Sequence, residues 1–341
     1  MTEPVRPRRR GNLAEAADLV FPYAVRVAAT LRLADFLADG VCELTDLAAA
    51  AGAEPDALGR LMRYLTCRGV FAETAPDTYR LTPAARMLCS DSTGNLRALL
   101  DLEGLGGRLD RPMAGLLESV RTGSASYPAI FGKPFWDDLA EHPELGQAFD
   151  TMMAAQVGDV ATEVAQGFSW SEVGHVVDVG GGAGALLTEL LRTYPTLTGT
   201  LVDLPGPAKA ATRVFEEAGL ADRCTVVEGS FFAPLPTGGD VYVLSVVLHD
   251  WDDRQARAIL RSCAHAAGAG GTVLVVEGLA DGDLPPAVST TLDLRMLVTM
   301  GGKERTHEQM RTLIESAGLT VVAARRTATR TLLECRTRGP R

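Results

Sequence analysis

The stretch HVVDVGGGAGALL, His175–Leu187, decides how the second half of the chain is read. A short apolar run ends at an Asp, glycines follow, and an apolar helical pattern begins. Glycines between a buried strand and a helix let a ligand approach the backbone closely. Downstream, the strand-and-helix alternation repeats. TLVDL (200–204), TVVEG (225–229), DVYVLSVV (240–247) and GTVLVVEG (271–278) read as strands. Gly184–Thr193, Pro207–Ala218 and Asp252–Ala267 read as helices, and Thr306–Ala317 opens on a capping-box pattern, Thr306 then Gln309. LTVVAARR (319–326) and TRTLLECR (329–336) lie so close in sequence that they should pair as an antiparallel hairpin. Such alternation predicts a doubly wound α/β sheet.

The glycines alone leave the ligand open. Gly180, Gly182 and Ala185 satisfy a relaxed dinucleotide fingerprint, with Asp203 about 20 residues on as a ribose-binding acid. No Lys-Ser/Thr follows them, which excludes a phosphate-loop NTPase. Three features favour S-adenosylmethionine. Asp178, two residues before Gly180, would repel a pyrophosphate but suits an amino group and a sulfonium. The hairpin after five βα units matches the end of a class I methyltransferase sheet. The polar run LHDWDD, Leu248–Asp253, follows the fourth strand, where open α/β sheets bind ligands.

Upstream, residues 12–40 read as one or two helices with an apolar face at Leu19, Val20, Tyr23, Val27 and Leu31. ELTDLAAAAG (43–52) is a short helix closed by Gly. In EPDALGRLMRYLTCRG (54–69), Leu58, Leu61, Met62 and Leu65 share one helical face. VFAET (70–74) and TYRLT (78–82) flank the turn Ala75-Pro76-Asp77, and Thr82-Pro83 reads as an N-cap with Pro at the first helical position. The pattern is a winged helix-turn-helix. Its second helix offers Arg60, Arg63 and Arg68 but starts with Glu54 and Asp56, a poor face for reading a major groove. Residues 91–170 read as helical, with breaks at Gly94, Gly106-Gly107 and Gly123.

Composition narrows the classes further. The 341 residues are 46% hydrophobic and 22% charged, enough for two domains, and the net charge of -10 argues against a nucleic-acid partner. The chain has no apolar run of membrane-spanning length, and no apolar segment follows Arg6–Arg10, so neither a membrane span nor a secretory signal is expected. Cys42, Cys67, Cys89, Cys224, Cys263 and Cys335 make no metal-ligand spacing and read as reduced thiols of a cytoplasmic protein. The expected division is a disordered tail (1–10), a winged-helix domain (11–90), a helical segment (91–170) and an α/β domain (171–341).

DVGGGAG, LVDLP, EGSFF, LHDWDD, VVEG and GGKERT, in that order, resemble the plant caffeate-type and bacterial natural-product small-molecule O-methyltransferases. The resemblance extends over nearly the whole chain and includes FGKPFWDDL, Phe131–Leu139. It implies a Rossmann-like class I methyltransferase sheet preceded by a mainly α winged-helix domain that forms a homodimer and helps close the partner's pocket. It implies S-adenosylmethionine as cofactor, S-adenosylhomocysteine as product and no metal. Gly180 and Gly182 would admit the methionine part, and Asp203 would take both ribose hydroxyls. Ser230, where many relatives carry Asp, and Phe231 would flank the adenine. Ser245 stands where plant relatives carry Lys. Trp251 would pack near the sulfonium, with plain packing between sheet and helix as the other reading.

The same resemblance makes His249 the general base, with Glu277 and Glu304 buttressing it. Taken by itself, a His before DWDD reads better as a cap of the helix starting near Asp252 than as a catalytic group. A carboxylate on one imidazole nitrogen would fix the tautomer and free the other to take a proton. A phenol with pKa near ~10 is only about one part in a thousand ionised at neutral pH, so a base near ~6.5 would help. Phe149 and Met153 match substrate-lining positions of plant relatives. Phe131, Phe135, Trp136, Met296 and Met300 are further wall candidates, and Asp250 is placed with them. The expected activity is O-methylation of a phenolic, polyketide-like natural product. The alternatives are a family member that has lost methyl transfer and a winged-helix ligand-sensing regulator.

Overall fold

The computed structural model describes residues 13–94, 96–283 and 285–337, without the side chains of 154–158. The Arg6–Arg10 tail lies outside the described residues. The chain separates into two compact units, divided between Asp110 and Arg111.

In the first unit, helices Val20–Thr30, Leu33–Ala38, Leu44–Ala51 and Pro55–Cys67 precede an antiparallel pair, β1 (Phe71–Ala75) and β2 (Thr78–Leu81). Leu33, Leu47, Met62, Leu65 and Phe71 fill its core. Thr82 caps the next helix by accepting Ala85 N–H, with Pro83 at the first position. The apolar positions of the first long helix divide between core and surface. Ala24, Ala28 and Ala29 face the core, whereas Leu19, Val20 and Tyr23 are exposed. Gly106 and Gly107 do not break a helix; they lie within Leu105–Asp110. A Cβ on Gly107 would stand 2.0 Å from Leu102 O, so these glycines permit close backbone approach. Gly123 does end its helix, with φ +72°.

The second unit is built on β3 (His175–Val179), β4 (Thr198–Asp203), β5 (Cys224–Glu228), β6 (Val241–Ser245), β7 (Thr272–Glu277), β8 (Leu319–Arg326) and β9 (Thr331–Thr337). Their order is β5-β4-β3-β6-β7-β9-β8; the first five are parallel and β9 runs antiparallel to both neighbours. The hairpin expected at the end of the chain is therefore present. Strand side chains alternate between two layers. Val177 and Val179 pack with Ile259, Leu260 and Cys263 of helix Asp253–Ala267. Val176, one residue out of phase, packs with Leu187, Leu190 and Val164 of the opposite helices. Most boundaries lie within two or three residues of the sequence expectation.

Two differences matter. Residues 229–240 join β5 to β6 without a helix, so the units before the hairpin are not all βα. Helix Pro286–Thr299 went unread, because Val288, Thr290, Thr291 and Val298 weaken its propensity and its apolar residues form no clear stripe. No helix among the described residues is long and apolar enough to cross a membrane.

Candidate active site

The strand order reverses between β3 and β6, and the carboxyl ends of the strands there carry the polar residues. At the end of β3, Gly180 and Gly182 adopt φ of +75° and +57°. A Cβ on Gly182 would meet nothing within 4 Å, so this turn presents bare backbone to open space. Asp203, closing β4, accepts Gly182 N–H through Oδ2 (2.8 Å) and Leu204 N–H through Oδ1 (2.7 Å). Each oxygen keeps a lone pair for a further donor.

Asp178 is 2% exposed, and its Oδ2 has no hydrogen-bond partner. Burial, with Asp203 adding to it, pushes its carboxyl up to about 7. Asp150, on helix Pro143–Gly167, is likewise pushed up to about 6, by burial first and then by Asp203. Nothing in the sequence pattern singled out Asp150. Ser245 Oγ, at the end of β6, is buried and unpartnered too. An orphaned buried carboxylate, an orphaned hydroxyl and an open glycine turn fit a cationic, hydroxyl-bearing group such as S-adenosylmethionine.

His249 sits in the turn after β6. Its Nδ1 lies 3.0 Å from Glu304 Oε1, and its Nε2 lies 3.4 Å from Asp250 Oδ1. Burial alone would lower the imidazole, but Asp250, Glu277 and Glu304 override it and hold the group up to about 10. The ~6.5 of a free imidazole does not apply here. Glu277 does not bond the ring. Its Oε1 accepts Val247 N–H (3.0 Å) and Leu248 N–H (2.6 Å), because β7 ends directly beneath the turn. Asp250, named with the wall candidates, lies beside the His249 ring. Burial raises its carboxyl to about 7; the imidazole opposes this and the neighbouring glutamates reinforce it.

An aromatic wall adjoins these groups. Trp251 stacks on Trp136, with centroids 6.3 Å apart, and packs edge-on against Phe231 (5.6 Å) and Phe232 (4.9 Å). Trp136 in turn packs on Phe149 (5.5 Å). Phe135 is 1% exposed and packs edge-on against both Trp136 (5.1 Å) and Phe149 (5.4 Å). Phe131 contacts the buried Tyr127, whose hydroxyl donates to Asp138 (2.6 Å). Tyr127 and Phe232 were not singled out by the sequence. Ser230 Oγ accepts Phe232 N–H (3.2 Å), which orders the loop that carries Phe231. Met153 is half-buried on helix Pro143–Gly167. Met296 and Met300 lie at the end of helix Pro286–Thr299, where Met296 O accepts the N–H groups of Met300 and Gly301.

Residues 113–320 match the family model for the O-methyltransferase domain, and residues 15–91 match the O-methyltransferase dimerisation domain. The chain is 47% identical to 2,7-dihydroxy-5-methyl-1-naphthoate 7-O-methyltransferase of Streptomyces carzinostaticus, over 92% of this chain and 93% of that protein. It is 44% identical to aclacinomycin 10-hydroxylase of Streptomyces purpurascens, over 94% and 87%. Among solved structures, the O-methyltransferase of neocarzinostatin biosynthesis, in complex with S-adenosylmethionine and 2-hydroxy-5-methyl naphthoic acid, superposes with a TM-score of 0.89 at 45% identity, covering 96% of this chain and 99% of that one. The chain belongs to the S-adenosylmethionine-dependent O-methyltransferases that carry an N-terminal dimerisation domain.

Proposed function

We propose that the enzyme methylates a phenolic hydroxyl on a fused-ring aromatic natural product, with His249 as the group that handles the phenolic proton. The observation that carries this is the contact of His249 Nδ1 with Glu304 Oε1 beside the aromatic wall. A carboxylate at Nδ1 keeps that nitrogen a donor, and Nε2, 3.4 Å from Asp250 Oδ1, is the nitrogen left to exchange the phenolic proton. Relatives that act on or bind naphthoates support an acceptor of that shape, and the flat rings of Trp136 and Phe149 suit it. The homologous hydroxylase shows a second use of the same framework; the His249–Glu304 pair favours methyl transfer here.

The carboxylates around His249 favour its charged form, which is the form that proton transfer creates. A base whose pKa approaches the ~10 of a phenol makes the transfer close to balanced in free energy. The phenolate so formed lies beside an imidazolium. Bound S-adenosylmethionine supplies the electrophilic methyl group. Trp136, Phe149 and Trp251 hold the acceptor ring, and alignment of this kind contributes up to ~7–11 kcal/mol. Asp178 and Asp203 hold the cofactor. The first unit forms the homodimer contact through its exposed apolar helix face.

The test is incubation with S-adenosylmethionine and a panel of hydroxynaphthoates and hydroxylated polyketide aromatics. A gain of one methyl, lost when the hydroxyl is blocked, is the expected result. A product carrying an added oxygen instead would support the hydroxylase reading.

A further inference from the structure

Arg305 is a permanent cation with 2% of its surface exposed. Its guanidinium is directed at the turn that carries His249. Nη1 donates to Leu248 O (2.7 Å), Nη2 donates to Trp251 O (2.8 Å), and Nε donates to Asp253 Oδ1 (2.9 Å) at the start of the next helix. The other side of that turn is held by Glu277, which accepts Val247 and Leu248 N–H. Lys303 N–H donates to His249 O (2.8 Å), and a Cβ on Gly302 would come within 2.1 Å of that same oxygen. The turn needs such restraint. Val246 at its start has φ +58°, a conformation that a β-branched residue rarely adopts and that persists only where its surroundings enforce it.

We propose that Arg305 is a positioning residue for methyl transfer: by holding Leu248 O and Trp251 O, its guanidinium fixes the His249 turn against Glu304. This rests on the reading of His249 as the proton-handling group. Glu304 and Arg305 are consecutive, so one short segment supplies both the carboxylate at Nδ1 and the fork that holds the backbone around the ring. A carbonyl on each side of His249 is bonded to a separate nitrogen of one rigid plane. A lysine ammonium, a single point of charge on a flexible stem, cannot reproduce that span.

The experiment compares Arg305→Lys in the wild-type and His249→Ala backgrounds. In the wild type, kcat should fall ~10–100-fold, while the acceptor KM and the cofactor Kd change less than about 3-fold. In the His249→Ala background the same substitution should change the residual rate less than about 3-fold, because there is no base left to aim. Ring ¹⁵N correlations of His249, followed by NMR against pH, give a second readout that needs no turnover; Arg305→Lys should shift that titration. Equal losses in both backgrounds with an unmoved titration would overturn the proposal, and so would an Arg305→Lys chain that does not fold. If the wild type itself transfers no methyl group, the functional reading fails, and the NMR titration still decides whether Arg305 sets the environment of His249.

Discussion

His249 Nδ1 lies 3.0 Å from Glu304 Oε1, and the two residues come from segments 55 positions apart in sequence. That contact predicts a sharp kinetic signature. With His249 as the proposed proton-handling group, His249→Ala should lower kcat by ~10²–10⁴ with cofactor affinity nearly intact. An acceptor with electron-withdrawing substituents, assayed above its own pKa, needs no base and should be methylated by the variant at closer to the wild-type rate. Full activity of the variant on an un-ionised phenol would reduce His249 to a packing residue.

The carboxylates around the ring set a pH dependence. Asp250, Glu277 and Glu304 hold the imidazole up to about 10, so at neutral pH it is charged and the neutral base is the minor form. For a phenolic acceptor, kcat/KM should keep rising above pH 8 rather than level off near 7. Asp250→Asn removes an anion beside Nε2 and should lower the imidazole pKa, moving the plateau to lower pH. The stability effect has the matching sign. A histidine with a raised folded pKa contributes stability that is fully present below ~6.5 and is lost as pH rises through about 10. Thermal melts from pH 7 to 10 should therefore fall more steeply for the wild type than for Asp250→Asn. Parallel curves would show that Asp250 does not govern the ring.

Much of this site was legible in the sequence because its signals are local. The glycine turn, the acid at its start and the acid closing the next strand sit at fixed spacings, and backbone geometry dictates those spacings. The partner of Glu277 was not legible. Whether a carboxylate at a strand end meets a ring or a backbone amide depends on how β7 lies under the turn after β6, a tertiary relation with no local signature. The same holds for Asp150, which acquires its environment only where a helix packs near Asp203. Arg305 sat in plain view inside GGKERT, but a charge beside Glu304 reads as solvated until its burial is known. Helix Pro286–Thr299 stayed hidden for a different reason, its scattered β-branched residues and lack of a clear apolar stripe.

Cofactor binding should be linked to protons through Asp178. Its carboxyl is raised to about 7, so its contribution to stability is present below ~4 and is lost as pH rises through about 7, where an unpartnered charge is left buried. A cationic ligand removes that penalty. The rise in Tm on adding S-adenosylmethionine should be larger at pH 8 than at pH 6, and calorimetry near pH 7 in buffers of different ionisation enthalpy should detect proton release. Asp178→Asn should flatten both effects. Asp203→Ala should weaken binding by ~10-fold or more, because hydrogen bonds to a charged group contribute ~1.5–3 kcal/mol each. Unchanged affinity in both variants would place the cofactor elsewhere.

The exposed face of helix Val20–Thr30 predicts how the chain associates. Leu19 (67% exposed) at its N-cap, Val20 (55%) and Tyr23 (51%) are exposed, while Ala24 and Ala28 bury into the winged-helix core. Leu19 and Tyr23 are four residues apart, and Val20 and Tyr23 three, so they form one stripe. Fully burying side chains of this size contributes ~1.5–3 kcal/mol each, and a symmetric contact would use the stripe twice. Light scattering should therefore report a dimer. Val20→Asp combined with Tyr23→Asp should shift it toward monomer at micromolar concentration without unfolding the first unit, since neither side chain is part of that core. Leu65→Ala is the contrasting case. It removes a fully buried side chain and should cost ~2–5 kcal/mol of stability in that unit, whatever the oligomeric state. If the double variant remains a dimer with an unchanged dissociation constant, the stripe is not the contact, and the exposed apolar face needs another occupant.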